Sequence, residues 1–179
     1  MAYRLLCHAE IEHFIEEAAR SVVLSKVKVA KDTGASSLTV MTLLAYYKIN
    51  WEGLLDEALE KDIPHKTDTT NQFKHPLNKL LDDAAQEYLG RIVSNNHGIR
   101  IDNLRRLLKP TGIDFDCIDD TWLTVIDEFG KQRGLTAHTS AVGVTHQIDP
   151  KGERARIDLL CMGLKDIDDL LNKLHKSKR

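Results

Sequence analysis

Apolar residues recur at helical spacing along most of this 179-residue chain. Ile11, Ile15, Ala18 and Val22 fall at i, i+4, i+7 and i+11, and Phe14 and Ala19 widen the stripe. This pattern predicts one long helix over residues 3–30, with Gly34 as its stop signal. Residues 36–48 are apolar and rich in β-branched side chains, which suits a buried helix or a strand; the helical surroundings favour a helix. Residues 51–61 read as a short helix with Leu54, Leu55, Ala58 and Leu59 on one side. A polar connection containing Pro64 follows over residues 62–74.

The next helix has Pro76 in its first turn and Leu77, Leu80, Leu81, Ala84, Ala85, Tyr88 and Ile92 on its apolar face. Asn95-Asn96-His97-Gly98 closes it, with Gly98 as the C′ residue. Asp102 is placed to cap a short helix over 103–109, which Pro110 and Gly112 end. A further helix starts near Asp119 and turns Trp122, Val125, Ile126 and Phe129 toward the core. Residues 142–149 form a connection with a strand-like Val144-Thr145-His146, and Asp149-Pro150 opens the last helix. Ile157, Leu160, Leu164, Ile167, Leu171 and Leu174 make a seam in steps of three and four. Such a seam packs on another helix, ordinarily of the same chain. With no internal repeat, the expectation is an all-α bundle with additional short helices, one domain over 1–179 with a short basic tail at 173–179.

Composition narrows the function. Hydrophobic residues make up 42% and charged residues 29%, which suits a folded, soluble domain. The net charge of −2 provides no global basic field, so any nucleic-acid contact must come from a local patch. Cys7, Cys117 and Cys161 are odd in number and form no CxxC, which argues against a disulfide framework or zinc knuckle and suits a reducing cytoplasm. Cys7 and Cys161 read as buried packing residues. No apolar run is long enough to cross a membrane, and Met1-Ala2-Tyr3-Arg4 does not open a signal peptide. His8 and Glu12 share a helical face, but neither His13 nor the distant His65 and His75 completes a metal-ligand set, and no metal or cofactor is expected. GxSxG, HExxH and glycine-rich phosphate loops are absent.

Candidate chemistry sits in Arg133-Gly134-Leu135-Thr136-Ala137-His138, at the end of the helix that starts near Asp119. Arginine offers phosphate oxygens a permanent cationic fork, and histidine moves protons near neutral pH. RNA cleavage needs both functions. The helical pattern, this string, His8-Ala9-Glu10-Ile11-Glu12, and Gly98-Ile99-Arg100 through Leu104-Arg105-Arg106-Leu107-Leu108-Lys109-Pro110 with Gly112-Ile113-Asp114 together resemble the HEPN superfamily. Within it the chain is most similar to the RiboL-PSP-HEPN group, across most of its length and least between Trp51 and Asn71. The resemblance implies a metal-independent endoribonuclease acting as a homodimer, with Arg133 and His138 of both chains in one cleft. It also implies a role in toxin–antitoxin or phage defence, with an antitoxin protein as a partner. Gly134 departs from the pattern of many members, which place a polar residue, often Asn, after the Arg. A non-catalytic HEPN module that binds RNA or protein is the competing reading.

Five helical steps leave Arg133 and His138 roughly 140° apart on an unbroken helix, so they do not share a face. Arg133 shares one with Phe129 and Ala137, near the packed side. Either the helix loosens after Gly134, or the Arg side chain curls round, or a second subunit completes the site. His138 would take the 2′-OH proton or protonate the leaving 5′-oxygen; a helix C-terminus favours its imidazolium and Arg133 disfavours it. Glu12 is a candidate to orient either residue, and Thr139 and Ser140 follow His138 as supporting or capping groups. Arg100, Arg105, Arg106 and Lys109 form the densest basic cluster and are candidates for RNA phosphate contact.

Overall fold

A computed structural model of the chain describes residues 2–46, 74–138 and 149–177, with backbone alone at residues 2, 74–76 and 134–138. The described residues form six α-helices and no strand: α1 (Ala2–Thr33), α2 (Leu38–Tyr46), α3 (Lys74–Glu87), α4 (Ile101–Leu108), α5 (Asp120–His138) and α6 (Pro150–Lys176). Short 3-10 turns, Lys109–Thr111 and Phe115–Cys117, link α4 to α5. None of these helices is long and apolar enough to cross a membrane. The expected helix at 51–61 lies outside the described residues, as do the 62–74 connection apart from Lys74, which opens α3, and the 142–149 connection apart from Asp149.

α1 is the central element, packed against α2, α3, α4, α5 and α6. Its stripe explains this: Ile11, Ile15, Ala19, Val22, Val23, Val27 and Ala30 are all buried, enough to face several partners at once. Phe14, expected in that stripe, is instead exposed, because it lies at the stripe's edge where no described helix covers it. Gly34 ends α1 at φ +71, where its N–H bonds the Ala30 carbonyl at 2.8 Å. The Ser37 hydroxyl then accepts the Val40 N–H at 3.3 Å and starts α2, which settles the apolar 38–46 segment as helix.

α1 and α6 run side by side in the same direction, tied at both ends. Arg4 donates twice to Glu153, at 2.6 Å each, near their N-termini. At the other end the buried Lys26 ammonium bonds the Ser177 carbonyl at the C-terminus of α6. Asp149 caps α6 by accepting the Lys151 and Gly152 N–H groups at 3.1 and 3.0 Å. The α6 seam stays within the chain: Leu160, Ile167 and Leu171 are buried against the common core, with Ile157, Leu164 and Leu174 packed beside them. Cys161 lies off this seam and is exposed, contrary to the packing role expected of it.

Two expected helix boundaries move. α3 continues into a π-helical turn, Tyr88–Val93, and ends there; Gly98 does not adopt the left-handed conformation of a C′ residue. The π turn is anchored by the buried Tyr88, whose hydroxyl donates to the Leu107 carbonyl at 3.0 Å. The turn over 94–98 then folds back along α1. α4 begins at Ile101, with Arg100 in the cap position, so Asp102 lies in the first turn rather than capping it. Its first N–H is satisfied from elsewhere, by Asp127 of α5 at 3.2 Å.

Candidate functional site

Asp119 starts α5 by accepting the Trp122 N–H at 2.7 Å. Trp122, Ile126 and Phe129 then bury its core face, as their spacing predicts. Gly130 follows, and a Cβ there would lie 3.0 Å from the Arg100 Cγ. Its small size lets the start of α4 approach α5 closely. One turn after Phe129, Arg133 emerges half-buried into an open cleft of about 540 Å³. His8 of α1, His97 and Gly98 of the turn, Arg100, Asn103 of α4, Gly130, Lys131 and Arg133 line it.

The cleft's three cations are not equivalent. Arg100 and Lys131 both bind Asp127, at 3.2 and 2.9 Å. Burial raises the Asp127 carboxyl, but the bonds from Lys131, the Ile101 N–H and Arg100 outweigh it and hold the group below its ordinary range. Arg133 has no carboxylate within 4.0 Å among the described residues; its described hydrogen bond is a long one, 3.5 Å to the His97 carbonyl.

Behind Arg133 lies a polar wall. His8 is buried, stacks on Phe129 with ring centroids 6.3 Å apart, and places its Nδ1 3.5 Å from the Glu12 carboxylate. Burial, then the nearby Arg133 charge, lower the His8 pKa to about 4, so the ring is neutral at pH 7. Burial and the neighbouring Glu16 raise the Glu12 carboxyl, against the pull of Arg133, His97 and a bond from the Gly98 N–H. Asn96 donates to Glu16 at 2.7 Å and, more weakly, to Glu12 at 3.5 Å.

The residues expected from sequence are therefore distributed unevenly. Arg133 and Arg100 line the cleft, and Glu12 stands in the wall behind Arg133. Arg105 lies over the Phe115 ring at 5.0 Å and pairs with Asp102, while Arg106 on α4 and Lys109 in the 3-10 turn after it are exposed and do not line the cleft. α5 is unbroken through His138, so the helix does not loosen after Gly134 and positions 133 and 138 stay about 140° apart. Thr139 and Ser140 lie outside the described residues. Sequence reasoning missed His97, Asn96, Asn103 and Lys131 as site residues, and it weighed His8 as a metal ligand and as part of a matching string, not as a group of this cleft. The one available signal was the polar run at 95–98, read there as a helix end. Among the described residues no cluster of three His, Cys, Asp or Glu side chains is arranged to hold a metal ion.

No curated protein and no solved structure matches the chain. A family model described as RiboL-PSP-HEPN matches residues 1–173. The chain therefore belongs to the RiboL-PSP-HEPN family, within the HEPN superfamily, which associates it with ribonuclease-type or RNA-binding function.

Proposed function

We propose that this RiboL-PSP-HEPN protein is a metal-independent endoribonuclease whose site is built from Arg133 and His138 of both copies in a homodimer. The observation that carries the reading is Arg133: half-buried, lining an open cleft, with no carboxylate partner among the described residues while its neighbours Arg100 and Lys131 share one. A guanidinium so placed is suited to a phosphodiester.

In the proposed reaction one His138 takes the 2′-OH proton, and the 2′-oxygen forms a bond to phosphorus. The bond from phosphorus to the 5′-oxygen breaks, and that oxygen takes a proton from the second His138. The products are a 2′,3′-cyclic phosphate and a 5′-hydroxyl. Arg133 neutralises the charge that builds on the phosphate oxygens. Arg and His supply all the groups the reaction needs. The roughly 140° between positions 133 and 138 supports the dimer, because a two-fold axis beside the end of α5 brings each residue near its counterpart. An unrestrained ribonuclease would damage its own cell. A cytoplasmic role in toxin–antitoxin or phage defence, with an antitoxin protein as inhibitor, fits that hazard.

The test is incubation with labelled tRNA and mRNA in EDTA, wild type beside His138→Ala. Cleavage by wild type alone supports the reading; equal cleavage by both overturns the Arg133/His138 assignment. Gly134, in place of a polar residue after Arg133, favours the alternative of a binding module. Retention of intact RNA without scission at high protein concentration would establish that alternative.

A further inference from the structure

We infer that Asn103 is a nucleotide-selecting residue of the Arg133 cleft, offering a fixed carboxamide oxygen to a hydrogen-bond donor on the bound nucleotide. The inference rests on the proposed RNA-directed function and adds how the site discriminates among nucleotides.

The argument is one of forced orientation. A carboxylate accepts hydrogen bonds and donates none. Glu16 receives a bond at 2.7 Å from Asn96, so the Asn96 atom facing it is the Nδ2 donor. The Asn96 oxygen must then face the other way, and there it meets Asn103 at 3.1 Å. Asn103 can satisfy that oxygen only with its own Nδ2. Each step removes an amide flip that would otherwise be free. The Asn103 Oδ1 is left with no hydrogen-bond partner among the described residues, on a side chain that lines the cleft beside Arg100 and Arg133.

Two features hold this arrangement. The Asn103 Nδ2 would be 3.6 Å from a Cβ at Gly98, so the turn packs closely against the amide. The turn itself is set by the π-helical segment Tyr88–Val93, an irregularity of a kind often found at functional sites. A lone acceptor beside cations that take phosphate selects ligands carrying an O–H or N–H donor near that phosphate. In a single-stranded polynucleotide the sources are the ribose 2′-OH, the exocyclic amines of adenine, cytosine and guanine, and the ring N–H of guanine and of uracil or thymine.

The experiment uses fluorescence anisotropy with full-length His138→Ala protein, which keeps RNA intact. The probes are labelled octamers of adenylate, cytidylate and uridylate or thymidylate, each as RNA and as DNA. A contact to the 2′-OH makes RNA bind about three- to tenfold tighter than DNA for every base. A contact to an exocyclic amine makes adenylate and cytidylate bind tighter than uridylate or thymidylate by a similar factor on either sugar, and a contact to the ring N3–H reverses that order. In each case Asn103→Ala, added to the same background with an unchanged melting temperature, brings the ratio close to one. Asn96→Ala, which removes the acceptor that orients the amide without touching Asn103, frees the flip and reduces the ratio part of the way. A preference that survives Asn103→Ala, or no preference in the His138→Ala background, overturns the inference while leaving RNA binding intact. Failure to bind any octamer overturns the RNA-directed reading itself.

Discussion

Two open grooves of similar size mark this molecule, and they differ in almost everything but volume. One, of about 410 Å³, lies between the end of α1, α2 and α3 and is lined mainly by Ala30, Val40, Met41, Leu44, Leu77 and Leu81. The other, of about 540 Å³, is the Arg133 cleft. The apolar groove is the edge of three hydrophobic stripes that meet, and its lining follows from helix periodicity. The cleft gathers two histidines, two arginines, a lysine and an asparagine from α1, the 94–100 turn, α4 and α5. Convergence of polar groups from separate elements costs desolvation and conformational freedom, and packing alone does not require it. Chemistry rather than size therefore separates the two.

The comparison predicts opposite responses to mutation. On the proposed endoribonuclease reading the largest effect belongs to the cleft and the end of α5 beside it: Arg133→Ala and His138→Ala each reduce RNA cleavage by about 10²–10⁴-fold with the melting temperature nearly unchanged. Arg133→Lys restores only part of the rate, because an ammonium cannot grip phosphate with two parallel bonds. A cleavage assay in EDTA beside thermal denaturation checks this. Full activity in Arg133→Ala would remove the distinction between the grooves.

The apolar groove should respond in stability instead. Leu81 is fully buried at its floor, so Leu81→Ala costs about 2–5 kcal/mol, read by urea denaturation. RNA affinity per folded molecule stays the same. A loss of affinity in the folded fraction would mean that the two grooves are coupled.

Acid should expose the wall behind Arg133. His8 has a pKa of about 4 in the folded chain against an ordinary 6.5. Between those values the unfolded chain binds a proton that the folded chain excludes, so His8's contribution to stability falls as pH drops from 6.5 toward 4. At pH 5 the loss is about 1–2 kcal/mol. Glu12 is shifted upward, and its protonation on folding offsets part of the loss. His8→Gln should narrow the difference in melting temperature between pH 7 and pH 5; an unchanged difference would show that His8 is not the group responsible. The smallest effect is expected outside the lining of both grooves, where Asp149→Ala removes the α6 cap and costs about 1 kcal/mol in thermal denaturation.

Much of the helical framework was legible in the chain. The stripe of α1, the stop at Gly34, the Asp149-Pro150 start of α6 and the core face of α5 depend on residues within one or two turns of each other. The errors share a cause. Gly98 looked like a helix terminator, but the buried Tyr88 and its bond to α4 carry α3 into a π turn that ends earlier. Asp102 looked like a cap, but Asp127, twenty-five positions away in sequence, satisfies the start of α4. In each case a distant partner outbid a local signal.

The site divides along the same line. Arg133 stood out as a candidate from its own string, and the place of Glu12 beside it was foreshadowed by the matching stretch of α1. Nothing in the spacing of His97, Asn96, Asn103 and Lys131 announced that they belong together. The sequence by itself determined an all-helical chain of a recognisable family and a helix carrying Arg133, because periodicity, caps and motif strings are encoded over a few neighbouring residues. The tertiary structure alone decided which cation has no carboxylate within 4.0 Å among the described residues and which amides orient one another. Those properties arise where α1, the 94–100 turn, α4 and α5 approach one another, and that approach depends on packing between segments up to 125 positions apart, as for His8 and Arg133.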